Sequence, residues 1–392
     1  MKFDIAVFVP SEWQVVRSLP ENTAINFARA GHRVLIVEPM HTASSMLRVA
    51  AIQKRRVGGG YGLRREGERM WIYRPPPIGV PGRSRSPVMA RLTGHILGRL
   101  VRRVCKQLGF QRLVAWTYLY DTARALSALK AEFSVYECGD HDEALAVSEG
   151  QRRTVRTMEA ATCRQADLVI CCTEELSIPR RQHNPRTVTV NCAADVAFFS
   201  NARAPDTEIP QDIACRKRPV IGYMGGLDPW KIDVDLICAI ALARQSWSIV
   251  LVGYVWFGFN PAVFADIPNI HVLGPKDYDA FPGYLKGMDV GLLPFPDNDI
   301  TRNGDALKCY EYLAAGLPVV GRPVPVARRL APLVRIAETP EQFIEQIEAA
   351  LAEDDTARAT RREAMQAHDW SVRVAQKLAL TDAAMAMRQK AR

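Results

Sequence analysis

The sequence predicts an α/β chain built from two doubly wound domains. Three observations carry this expectation. At 392 residues the chain is longer than one hydrophobic core usually spans. Short apolar runs of strand length alternate with amphipathic helical segments in both halves, the pattern of parallel sheets covered by helices. A stretch rich in Pro and charge, residues 201–219, separates the halves and reads as a linker.

In order, Ile5 to Val9 reads as a buried strand, Asn22 to Ala30 as a helix stopped by Gly31, and Val34 to Val37 as the next strand. This is a βαβ unit with a right-handed crossover. The opening run has strand character and not that of a signal peptide, because Asp4 interrupts it and no small-residue cleavage site follows. Leu113 to Trp116, Ser134 to Tyr136 and Leu168 to Cys171 read as further strands, with a helix over Arg153 to Arg164. Beyond the linker, strands are expected at Val220 to Gly222, Ser248 to Val252, Ile270 to Leu273, Val290 to Leu293 and Val319-Val320. Helices are expected over Asp233 to Leu242, Phe343 to Ala352, and from the H-D-W-S-V-R segment to about Met387.

Charge is distributed unevenly. The chain has a formal net charge of +9, yet the span from Arg48 to Lys106 holds fifteen Lys/Arg and two acids. The remainder is mildly acidic. One basic region on an acidic protein suits an anionic partner, and a membrane leaflet is preferred here to nucleic acid. The preference comes from Pro87 to Leu108, where Leu92, Ile96, Leu97, Leu100, Val101, Val104 and Leu108 recur at helical spacing. Arg91, Arg99, Arg102, Arg103 and Lys106 lie between them. The same apolar stripe could instead pack on the N-terminal sheet, and both readings can hold together. No run of about 18 apolar residues exists, so no membrane-spanning helix is expected. Nine cysteines, an odd number without a C-x-x-C pair, argue against a disulfide framework or a zinc site. A reducing cytoplasm is expected, with peripheral association at the inner face of the cytoplasmic membrane.

The segment with most chemical content runs from Asn303 to Val320, N-G-D-A-L-K-C-Y-E-Y-L-A-A-G-L-P-V-V. It reads as a loop with Gly304 and Asp305, a helix over Ala306 to Ala315 stopped by Gly316 and Pro318, and a buried strand. Leu307, Tyr310, Leu313 and Ala314 share one face of that helix. A helix that begins at such a loop aims N–H groups and positive dipole forward, and Lys308 adds a full charge. That end suits a diphosphate, and Glu311 one turn on suits a sugar diol. Gly225-Gly226 after the strand at Val220 offers close backbone approach to a phosphate.

Lys308, Glu311, Tyr312, Leu313, Ala314, Gly316 and Pro318 match the K-x-x-E-Y-L-A-x-G-x-P-V-V pattern, which resembles the nucleotide-binding helix of GT-B glycosyltransferases. The likeness is to the group 1/family 4 type, and also to bacterial exopolysaccharide glycosyltransferases of the glucuronosyltransferase type. It extends along the chain. A-R-A-G-H-R-V-L-I-V-E-P is similar to the first βαβ unit, Q-A-D-L-V-I-C-C-T-E-E-L to a later strand, and V-N-C-A-A-D-V-A-F-F to the family's approach to its second domain, with Cys192 where Gly is usual. H-V-L-G-P-K and G-M-D-V-G-L-L-P-F resemble the strand ends beside the base and the donor sugar.

The resemblance implies the GT-B fold: two Rossmann-like domains facing a cleft, with the last helix crossing back to the first. Expected boundaries are 1–200 for the acceptor domain, 201–219 for the linker, 220–370 for the nucleotide-sugar domain and 371–392 for the crossover helix. It implies transfer of a sugar from a nucleotide diphospho-sugar, with UDP favoured, to an acceptor hydroxyl in cell-surface polysaccharide or glycolipid synthesis. The donor would lie on Gly225, Gly226, Lys231, Gly274, Pro275, Leu307, Lys308 and Glu311. In retaining members a Glu-x7-Glu pair is frequent; here Asn303 takes the first place, which leaves the stereochemical outcome open. Inverting transfer needs a base, and Y-E-C-G-D-H-D-E after a strand offers Glu137, Asp140, His141 and Asp142; Asp140 is preferred, then His141. Glu12, Trp13 and Arg17 are acceptor-side candidates. No D-x-D motif has a suitable context, since D-V-D at Asp233 to Asp235 falls in a helix, so neither a metal nor another cofactor is expected. Two alternatives use the same fold: a nucleotide-sugar epimerase, and a non-catalytic GT-B partner protein, which Asn303 keeps in view.

Overall fold

The computed structural model describes residues 2–13, 17–42, 60–82 and 86–390. Part of the basic region, at 48–59 and 83–85, lies outside the described residues, as does the middle of the 10–17 loop. The chain forms two compact units, residues 1–191 with 374–392, and residues 192–373. The chain passes between units at 191/192 and 373/374. Residues 201–219, expected as a linker, belong instead to the second unit. There Ile213 is buried and the Asp212 carboxylate is paired with Lys276 at 2.6 Å.

The first unit is an eight-stranded sheet. In chain order its elements are β1 (Asp4–Phe8), α1 (Leu19–Arg29), β2 (Arg33–Val37), β3 (Gly62–Arg65), β4 (Met70–Arg74), α2 (Pro87–Gln107), β5 (Leu113–Thr117), α3 (Ala123–Leu129), β6 (Phe133–Cys138), α4 (Glu149–Gln165), β7 (Leu168–Cys171), α5 (Glu174–Arg181) and β8 (Thr187–Thr189). The strand order is β3-β4-β2-β1-β5-β6-β7-β8, parallel except for the β3–β4 edge hairpin. The central strands β1, β5 and β6 are buried along their whole length, as a sheet with covered faces requires. Helix α1 starts at a capping box, in which Ser18 and Glu21 satisfy each other's end of the first turn.

Helix α2 packs one face of the basic amphipathic stretch on the sheet. Leu97, Val101 and Val104 join the core formed with Phe8, Leu35 and Ala115, and Ile96, Leu100 and Leu108 pack on its margin. Gly94 and Gly98 allow α2 to lie directly against α3, since a Cβ on Gly98 would collide with the Ala125 carbonyl. Leu92 departs from the expected buried stripe and is exposed beside Val88, as are Arg91, Arg99, Arg103 and Lys106.

The second unit holds a six-stranded parallel sheet in the order β11-β10-β9-β12-β13-β14. Its elements are α6 (Val196–Ser200), α7 (Gln211–Ala214), β9 (Val220–Met224), α8 (Val234–Ala243), β10 (Ser248–Val252), β11 (Ile270–Gly274), α9 (Phe281–Gly287), β12 (Val290–Leu293), α10 (Asp299–Asn303), α11 (Leu307–Ala314), β13 (Val319–Gly321), α12 (Pro325–Arg329), β14 (Val334–Ile336), α13 (Pro340–Leu351) and α14 (Asp355–Met365). Asp233 is not an exposed helical residue as the D-V-D reading had it. Its carboxylate caps α8 at the Leu236 N–H and pairs with Arg322.

The last helix, α15 (Trp370–Lys390), starts in the second unit and ends in the first. In the first unit its Lys377 is fully buried and donates to Glu137 Oε1 at 2.7 Å and to Thr23 Oγ1 at 3.0 Å. The other oxygen of Glu137 accepts from Trp116 Nε1 and the Tyr118 hydroxyl, both at 2.8 Å. A buried charge is tolerated only with this kind of complete pairing. Glu137, one of the four ionisable groups considered for proton transfer, is therefore committed to holding α15 on the sheet.

Candidate functional site

In the second unit the donor-site candidates converge at the carboxyl ends of the strands, where open parallel sheets place ligands. Helix α11 begins at Ala306, whose side chain makes no capping bond. Among its buried residues are Cys309, Tyr310, Glu311 and Tyr312, so the helix is a core element on most of its circumference and not on one face only. Lys308 leaves its first turn and lies over the β9 turn, where a Cβ on Gly225 would collide with Lys308 Cε. Gly226 is equally close to the Trp256 indole, and its carbonyl accepts from the Tyr223 hydroxyl at 3.1 Å. A side chain at either place would have to displace Lys308 or Trp256, and neither glycine adopts a left-handed conformation.

Asp305 turns out to be an anchor rather than a free loop residue. It is buried, accepts from Arg329 at 2.6 Å and the backbone N–H of Cys192 at 2.7 Å, and is bonded to the Tyr310 hydroxyl. Burial raises its pKa, with Arg329 opposing. The backbone N–H of Cys192 thus holds the loop that precedes Lys308, a bond that does not depend on the side chain at that position.

Lys231 is exposed beyond the β9 turn. Lys231 and Lys308 both act electrostatically on Asp228, whose own pKa burial raises. Sequence reasoning missed Asp228, because an Asp after Gly-Gly has no meaning until Lys308, 80 positions away in the chain, is placed beside it. The Tyr223 phenol is raised by burial and by the charges of Asp228 and Glu311, so it stays a hydrogen-bond donor. Gly274 and Pro275 end β11, and the Gly274 carbonyl accepts from the Gly253 N–H at 2.9 Å. Gly253 in turn approaches Gly225 so closely, at φ +149°, that a Cβ there would strike the Gly225 carbonyl. Three turns, after β9, β10 and β11, are thereby fastened together beside Lys308 and Glu311. Leu307 is half-buried at the start of α11. Asn303, the last residue of α10, folds its amide back on the Asp299 carbonyl at 2.7 Å.

The acid–base and acceptor candidates lie in the first unit. Asp140 and His141 follow β6, with Asp140 exposed and His141 opening a tight turn over Asp142–Leu145. Asp142 is pushed up to about 8 by burial, then by the charges of Asp140 and Glu159. Glu12 and Trp13 gather at the ends of β1, β2 and β4: Arg74 donates to Glu12 at 3.1 Å, and Glu38 accepts from the Trp13 N–H at 3.2 Å. Glu38 is buried and also binds Arg74 and Arg64. Arg17 is bonded to Asn22 at 3.3 Å. Among the described residues no group of His, Cys, Asp and Glu is placed to hold a metal ion, and no helix is long and apolar enough to cross a membrane.

Comparison with known proteins agrees with this geometry. The sequence profile of the family "Glycosyl transferases group 1" matches residues 218–353, the part of the chain that carries the β9 turn and α11. A Bacillus subtilis (strain 168) protein, TuaH, named as a candidate glycosyltransferase of teichuronic acid biosynthesis, is 27% identical over 287 residues, 67% of this chain and 70% of the relative. Among solved structures, Anabaena Alr3699/HepE in complex with UDP and glucose is similar with a TM-score of 0.62 at 15% identity, over 97% of this chain and 99% of that one. A UDP-forming trehalose-phosphate synthase from Burkholderia vietnamiensis gives 0.69 at 11% identity, over 99% and 98%. The structural likenesses establish the fold, and the profile match falls on the residues of the site. The chain thus has the GT-B fold, and its residues 218–353 are similar to the group 1 glycosyltransferases.

Proposed function

We propose that the protein transfers a hexose-type sugar from a nucleotide diphospho-sugar, with UDP as the favoured nucleotide, to an acceptor hydroxyl. The observation that carries this is the placement of Lys308 over Gly225, with Glu311 one turn further on the same helix. A diphosphate at that point meets the Lys308 ammonium, the N-terminal end of α11 and the β9 turn. These groups stabilise the charge that develops on a departing nucleoside diphosphate without a metal ion. Glu311 accepts hydrogen bonds from the ribose diol. Gly274 and Pro275 border the base, and Lys231 adds long-range attraction. Asp140 or His141 in the first unit would take the acceptor proton, with Glu12, Trp13 and Arg17 on the acceptor side.

UDP and glucose in the HepE complex support the choice of nucleotide and a saccharide acceptor. The name given to TuaH supports a role in cell-surface polysaccharide assembly. The exposed side of α2, with Val88, Leu92 and four cations, supports peripheral contact with an anionic leaflet, where a lipid-linked acceptor would be met. The test is incubation with UDP-sugars and a membrane extract. Released UDP accompanied by a glycosylated product is expected. Epimerised sugar without transfer, or no consumption of any UDP-sugar, would contradict the reading.

A further inference from the structure

The loop after β10 carries a feature the donor-site reading does not use. Residues 253–257 read G-Y-V-W-F, and Tyr254, Val255, Trp256 and Phe257 are all exposed, Trp256 at 45%. Four consecutive large apolar side chains in solvent are costly unless something covers them. The loop is well ordered by backbone bonds: Leu227 N–H to the Tyr254 carbonyl at 2.8 Å and Trp256 N–H to the Leu227 carbonyl at 2.9 Å. These pair it with the β9 turn, and Gly253 holds its base between Gly225 and Gly274.

The Trp256 indole lies edge-on against Gly226, so its ring stands beside the turn over which Lys308 lies. In the sheet order β11-β10-β9-β12, the loop occupies the side of β9 that faces β11 and its Gly274-Pro275 end. The α10 segment lies on the opposite side, after β12. A flat heterocycle whose diphosphate rests on Lys308 and which extends toward β11 meets the indole.

We propose that Trp256 is a stacking platform for the nucleobase of the donor, making the β10 loop a determinant of nucleotide affinity. This rests on the donor-site reading and names which part of the donor the aromatic loop recognises. A planar base offers a π-face to an indole, whatever its edge. Discrimination among bases would then fall to the backbone groups at Gly274. Stacking of a base on an aromatic ring typically changes affinity by about tenfold or more when the ring is removed.

The experiment is calorimetric titration of the full chain with UDP, UMP, UDP-glucose and inorganic pyrophosphate, using wild type, Trp256→Ala, Trp256→Phe and Lys308→Ala. Trp256→Ala is expected to weaken UDP and UMP by about tenfold while leaving pyrophosphate unchanged, with Trp256→Phe recovering most of the loss. Lys308→Ala should weaken UDP and pyrophosphate alike. UDP affinity unchanged in Trp256→Ala but lost in Lys308→Ala would overturn the stack and leave the donor site standing. Loss confined to UDP-glucose would overturn it in favour of a contact to the sugar. Equal loss of pyrophosphate in Trp256→Ala would reduce Trp256 to loop packing. No binding of any of these by wild type would overturn the donor site and the stack together.

Discussion

Single residues in this protein divide into those that hold and those that wait. Glu137 and Asp142 stand five positions apart on the same strand-to-loop segment and belong to opposite groups. The first is saturated by Lys377, Trp116 and Tyr118, whereas the second keeps its proton. Folding raises the Asp142 pKa from an ordinary 3.8 to about 8, so its contribution to stability is complete below about pH 4 and is lost as pH rises through 8. Melting temperatures measured from pH 5 to 8.5 should therefore fall more steeply in wild type than in Asp142→Asn. Parallel curves would show that the carboxyl titrates normally. At the proposed donor site, Lys308→Ala and Glu311→Ala should each weaken nucleotide binding, by about tenfold for a lost charge-assisted hydrogen bond. Equilibrium dialysis with labelled UDP reads this directly, and unchanged affinity in both variants would remove the two residues from the site.

Among elements, α11 and α15 illustrate what is and is not legible in a sequence. Helix α11 declared itself because its start, its cation, its carboxylate and its glycine stop are consecutive residues with a known physical use. The strands β1, β5 to β7, β9, β10 and β12 were equally readable, as continuous apolar runs. The edge strands β3 and β8 were not, since Gly62–Arg65 and Thr187–Thr189 lack an apolar signature and gain their pairing from neighbours. Helix α15 was expected from its position, but its anchor was invisible: Lys377 and Glu137 lie 240 positions apart. Removing one member of a fully buried pair strands the other, at a cost of about 3–5 kcal/mol. Lys377→Met should therefore lower stability by that order and expose the C-terminal segment to proteolysis. In a double-mutant cycle, adding Glu137→Gln should cost less than the sum of the single changes, and strict additivity would contradict a direct pair.

For the whole molecule, the second unit was more readable than the first. Its site is built from short motifs at strand ends, Gly225-Gly226, Gly274-Pro275 and the Lys308–Glu311 turn, each local in sequence. What the sequence could not supply was their assembly, because the Asp305–Cys192 bond and the Gly253 wedge exist only after folding. The first unit has fewer such words: its polar core around Glu38 and Arg74 joins residues from three strands. Its basic character was evident from composition, and α2 buries Leu97, Val101 and Val104 while keeping Arg91, Arg99, Arg103 and Lys106 outside. Reversing charge at Arg99, Arg102 and Arg103 should reduce sedimentation with anionic vesicles, each cation being worth about 1 kcal/mol near such a surface. Retention of full vesicle binding would place any membrane contact elsewhere.

The most direct measurement of the central claim, a nucleotide diphosphate site built by the β9 turn and α11, is thermal unfolding in the presence of UDP, GDP, ADP, dTDP and CMP. A ligand at a hundredfold excess over its Kd stabilises the folded state by about 2.7 kcal/mol. The proposed function predicts a rise in Tm with one diphosphate, UDP before the others, that disappears in Glu311→Ala. The same rise in Glu311→Ala, or none with any of the five nucleotides, would contradict it.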